Sequence, residues 1–64
     1  MHDTYKIKLI DLDELRAVLS LYRPRGLFLC RAGKWWIAVD NTTGEAWTEE
    51  FRWKWHALCW LCDN

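Results

Sequence analysis

The stretch GLFLCRAGKWWIAVD, Gly26 to Asp40, decides how this chain folds. Leu27 to Cys30 is a short apolar run, and Trp35 to Val39 is rich in aromatic and β-branched residues, the types that suit a pleated strand. Arg31-Ala-Gly-Lys34 lies between them and supplies a turn, with Gly33 free to take a positive φ. The stretch therefore reads as a β-hairpin. In its second arm Trp35, Ile37 and Val39 share one face, and Trp36, Ala38 and Asp40 share the other.

Asp40-Asn-Thr-Thr-Gly44 follows as a second turn. Asp and Asn side chains bond forward to the backbone, and Gly44 fits a left-handed position. Ala46 to Phe51 then reads as a returning strand, with Trp47, Glu49 and Phe51 facing one way. Residues 52–62 read as a helix in which only Arg52, Lys54 and His56 interrupt the apolar residues. A helix apolar nearly all round requires cover on more than one side.

Upstream of the hairpin, Asp11 with Glu14 forms a capping-box pattern. Leu12, Leu15, Val18, Leu19 and Tyr22 recur at helical spacing, and Pro24 forbids continuation, which predicts a helix over residues 12–21. Before it, Tyr5, Ile7 and Leu9 alternate with Lys6 and Lys8, the period of a strand over residues 4–9. The expected architecture is α+β: a three-stranded antiparallel meander over residues 26–51 packed on the 52–62 helix. The first helix is expected to cover a sheet edge or the outer side of the second helix, with a possible fourth, N-terminal strand.

The 64 residues allow one domain, residues 1–64. With 52% hydrophobic and 16% aromatic residues, and nine basic against nine acidic groups, the composition excludes a disordered chain. No uncharged apolar run approaches the roughly 18 residues of a membrane span. Met1 to Lys8 is polar and holds no secretory core, so a cytoplasmic protein is expected. An odd number of cysteines, three, argues against a disulfide framework. Cys30, Cys59 and Cys62 are expected to be buried, reduced thiols.

Candidate chemistry is sparse. His56, Cys59 and Cys62 are soft-metal ligand types, but positions 56 and 62 of one helix lie about 9 Å apart, too far to close round one ion. Asp40, Glu45, Glu49 and Glu50 form no flanking pair for acid–base work, since Glu49 and Glu50 alternate across the strand. No phosphate-loop, nucleophile-elbow or metalloprotease motif occurs. No enzyme, metal or cofactor is therefore expected.

Binding residues are easier to name. Six tryptophans exceed what so small a core can take, and Trp is enriched at interface hot spots. Trp47, one of Trp35 and Trp36, and part of the Trp53, Trp55 and Trp60 set are assigned to the core, with Trp60 expected nearer the core and Trp55 nearer the interface. Trp53, Trp55 and Trp60 are the candidate protein interface, with a homodimer through the last helix as its expected form. Arg23, Arg25, Arg31 and Lys34 form a basic block without an acid, and they are the candidate set for the alternative, a nucleic-acid-binding sheet.

The order of short strand, Gly33, Trp35-x-Ile-x-Val-Asp40, Thr43-Gly44, Phe51 and Ala57-x-x-Trp-Leu61 resembles the AP2-like, arm-type DNA-binding domain of phage and transposon integrases. That resemblance covers a little over half the chain. It implies a three-stranded sheet on a C-terminal helix, with the sheet lying in the DNA major groove. The family's second and third strands are typically studded with Lys and Arg, whereas this chain has Asp40, Glu45, Glu49 and Glu50 there. The run Ala46 to Phe51 also looks like short uncharacterised phage or mobile-element proteins of Firmicutes. Helix, three strands and helix is also the order of double-stranded RNA-binding domains. Taken together, the sequence predicts a small non-catalytic binding protein, for protein–protein contact, of phage or mobile-element type. An inhibitor of a host system would fit its size.

Overall fold

The computed structural model describes residues 6–63. Along the chain lie β1 (Ile7–Ile10), α1 (Leu12–Leu21), β2 (Leu27–Ala32), β3 (Trp35–Asp40), β4 (Trp47–Phe51) and α2 (Lys54–Asp63). The four strands form one sheet in chain order, and the class is α+β as the sequence predicts.

The antiparallel meander is present in β2, β3 and β4, but the sheet as a whole is mixed. β1 is a true fourth strand, and it pairs parallel to β2 with Ile7 opposite Leu27 and Ile10 opposite Cys30. The reason is the intervening helix. A parallel pair needs a long crossover, and α1 carries the chain back to the starting end of the sheet. Tyr5, assigned to this strand from the sequence, lies outside the described residues.

β2 explains where the helices go. Leu27, Phe28, Leu29 and Cys30 are all buried, so both faces of this strand need cover. Phe28 and Cys30 join Ile10, Leu15, Val18 and Val39 in a core beneath α1. Leu27 and Leu29 join Ala38, Ala57 and Leu61 in a second core beneath α2. The first helix therefore covers neither an edge nor α2; it lies on the opposite face of the sheet. α1 packs on β2, whereas α2 packs chiefly on β3 and β4.

Local chemistry sets the boundaries. The Asp11 carboxylate accepts from the Glu14 amide at 2.8 Å, and the Asp11 amide donates to Glu14 Oε1 at 3.3 Å, the two halves of the capping box. At the other end Tyr22 adopts the left-handed conformation at φ 56°, and its N–H donates to the Val18 carbonyl. α2 begins at Lys54 rather than Arg52, because β4 continues through Phe51 and the Trp53 carbonyl is the first to accept, from Ala57. The β2–β3 turn is tight. Ala32 pairs with Trp35, leaving Gly33 at φ 63° and Lys34 as the two central residues.

The β3–β4 connection is built on two side chains. Asp40 Oδ1 accepts from the Thr42 amide at 3.0 Å and from its hydroxyl at 2.7 Å. Asn41 is fully buried. Its Nδ2 donates to the Pro24 carbonyl at 2.8 Å, and its Oδ1 accepts from the Ala46 amide at 3.0 Å. Its backbone exchanges two further bonds with Gly26.

Gly44 sits in this connection at φ +88°, where a Cβ would come within 2.9 Å of Arg25 Nη2. The guanidinium can swing away, so backbone strain dominates. Gly44→Val should cost about 1–3 kcal/mol, which lowers Tm by at least about 4 °C for a domain of this size. A thermal melt unchanged by the substitution would contradict this turn. Asn41→Ala leaves the Pro24 carbonyl and the Ala46 amide without their partner, and should cost about 2 kcal/mol or more by denaturant titration.

Candidate interaction surfaces

The inner side of α2 is fixed by Ala57 and Leu61, both with 0% exposure. At 100° per residue, Trp55, Cys59 and Cys62 fall on the opposite side at i, i+4 and i+7. All three are exposed, Trp55 at 63%. This corrects the sequence expectation for two thiols: only Cys30 is buried, while Cys59 and Cys62 are exposed on the outer face of α2. The hydrophobic character of that face misled, because no described residue covers it.

The three candidate interface tryptophans divide. Trp53 is 59% exposed at the start of α2. Trp55 is exposed on the outer stripe, with its ring 4.1 Å from that of His56. Trp60 is half-buried and packs toward the core beside Phe51, with ring centroids 6.2 Å apart and tilted by 52°. Trp47, assigned to the core from the sequence, is instead 60% exposed. α2 does not shield it, and its indole N–H donates to Glu45 Oε1 at 2.9 Å. Trp36 is the half-buried member of the Trp35–Trp36 pair and packs against the α2-side core.

Beside the outer stripe, the α2 face of the sheet is left open over β1. Ile7, Leu9, Leu29, Lys54 and Leu58 line a depression there, and Leu9 is 63% exposed. The apolar surface thus runs from Trp55 across Leu58 to Leu9. No single sequence pattern marks it, because Leu9 and Leu58 are distant in the chain and meet only through the crossover.

The four basic candidates do not gather. Arg23 and Arg25 precede β2, and Arg25 donates to the Thr42 carbonyl beside Gly44. Arg31 and Lys34 lie at the opposite end of the same strand, about 20 Å away at 3.3 Å per residue. There Arg31 donates to the Gly33 carbonyl and lies 4.9 Å from the Trp36 ring centroid. Two cations that the sequence set omitted join them. Lys54 stands 5.5 Å from the same Trp36 ring, and Arg52 stands 5.8 Å from the Trp35 ring.

The carboxylates form no shared site. Glu49 and Glu50 sit opposite Ala38 and Ile37 and therefore point to opposite faces. Cys30 belongs to the core beneath α1, on the far side of the sheet from Cys59 and Cys62. Burial raises the Cys30 thiol pKa, and the nearby Asp11 charge adds to the rise. A thiol reagent added to the folded protein should therefore modify two cysteines quickly, with Cys30 reacting only on unfolding. Three equally fast thiols would contradict the sheet order.

No protein-family model, curated protein or solved structure matches this chain.

Proposed function

We propose that this protein is a non-catalytic protein-binding module that docks through the outer face of α2, and that its first partner is a second copy of itself. The observation that carries this is the exposed i, i+4, i+7 stripe of Trp55, Cys59 and Cys62, continuous with Leu58 and Leu9. A stripe at that spacing is the pattern by which one helix packs on another. A large aromatic offers 150–250 Å² of surface, so covering Trp55 supplies more than any other residue of the stripe. The zero formal net charge means that two copies meet without overall repulsion. A two-fold arrangement would place α2 against α2, the self-complementary contact of most homodimers.

Sedimentation velocity under reducing conditions tests this reading. The protein should be dimeric at high micromolar concentration and lose the dimer on dilution. Trp55→Glu should yield a folded monomer with an unchanged circular dichroism spectrum, because the exposed ring contributes little to the core. A wild-type protein that stays monomeric across that range would overturn self-association, and an unfolded Trp55→Glu chain would move Trp55 from the interface to the core.

A further inference from the structure

We infer that the β2–β3 turn end carries a binding site for single-stranded nucleic acid, built from Arg31, Lys34, Arg52 and Lys54 around Trp35, Trp36 and Trp53. The fold assembles these residues from three separate places. Arg31, the last residue but one of β2, sits opposite Trp36, and Phe51 sits opposite Trp36 from the other side, so the chain leaving β4 returns to the turn end of the sheet. That return brings Arg52 to the Trp35 side of the sheet and Lys54 to the Trp36 side, so the set wraps round the end of the sheet rather than lying on one face.

Two facts single out this end. First, the ion pair among the described residues is Arg16 with Asp13 on α1, and none of these four cations pairs with a described carboxylate. Arg31 and Lys54 instead share one aromatic ring, at 4.9 and 5.5 Å. Two like charges held on one indole repel each other, and an anion between them relieves that repulsion. Second, Trp53 lies between Arg52 and Lys54 with most of its ring in water. Cations that track a phosphate backbone, interleaved with exposed aromatic rings, are the chemistry by which single strands are held: phosphates meet the charges and bases stack on the rings.

Three considerations favour a single strand over a duplex. Bases within a duplex are already stacked on one another and offer no face to Trp53. The cluster occupies one end of a sheet whose strands lie about 4.8 Å apart, which suits a few nucleotides rather than a helical turn. Of the five other basic residues, Arg23 and Arg25 precede β2 at the far end of the sheet, Lys6 just before β1 and Lys8 within it lie toward that same end, and Arg16 is on α1, so none extends the track.

Fluorescence anisotropy of a labelled oligothymidylate of ten nucleotides tests the inference. Binding should be measurable at low salt and should weaken with salt at a log–log slope of about −0.7 per phosphate contacted, or roughly −2 to −3 in all. It should also quench tryptophan emission. Arg31→Gln and Lys54→Gln should each weaken binding several-fold, and Trp53→Ala should weaken it while leaving the salt slope unchanged. Arg23→Gln should have no effect. All four positions are exposed, and melts of the variants confirm folding. The inference is overturned by any of three results: no binding at low salt, a duplex of equal length bound as tightly, or Arg23→Gln as harmful as Lys54→Gln. Equal affinity for an oligoglutamate would overturn it too, since only net negative charge would then be read. Lys54 also borders the depression beside Leu58, but Arg31 belongs to this site alone and Trp55 to the outer stripe of α2 alone, so Arg31→Gln and Trp55→Glu test the two proposals separately.

Discussion

The structure depends on one constraint, the burial of the central hairpin on both of its faces. Leu27, Phe28, Leu29 and Cys30 alternate across β2, and all four are buried, as are Ala38 and Val39 on β3. A strand with water on one side would expose every second residue. Here each face demands its own layer, and the chain has two helices to supply them. α1 and α2 therefore take opposite faces, and each leaves part of its face uncovered. The open depression beside Leu9 and the exposed side of β4 are consequences of that division. A ten-residue helix is about 15 Å long and some 10 Å wide, enough to cover about two strands of a four-stranded sheet.

Asn41 holds the end of this hairpin together. One buried amide joins the segment entering β2 to the segment entering β4, through Pro24 and Ala46. Both amide ends are matched, so the desolvation of the group is offset by hydrogen bonds on each side. With this end fixed, the strands run to the other end in register. The register there places Arg31 opposite Trp36 and Trp36 opposite Phe51. The convergence of cations and indoles at the β2–β3 turn is thus downstream of polar chemistry at the far end of the sheet.

Much of this was legible from local signals. The capping box at Asp11 and Glu14, the span of α1, the hairpin alternation in β3 and the positive φ of Gly44 each follow from a few neighbouring residues, and the structure shows each of them. What failed was long-range. The parallel pairing of β1 depends on where α1 returns the chain, and periodicity is silent on strand direction. The placement of Trp47, Cys59 and Cys62 depends on which residues of α2 face the sheet. An almost uniformly apolar helix has no polar side to reveal that orientation. The candidate basic set is split between the two ends of the sheet for the same reason. Adjacency in sequence grouped Arg23 with Lys34, whereas the hairpin separates them and brings Arg52 and Lys54 instead.

The division of the two helices between opposite faces is tested most directly by nuclear Overhauser contacts in the folded protein. Methyl and ring protons of Val18 should show contacts to Phe28 and Val39, and those of Leu61 to Leu29 and Ala38, with no contact between Val18 and Leu61. A direct Val18–Leu61 contact within one chain would place both helices on one face and contradict the account.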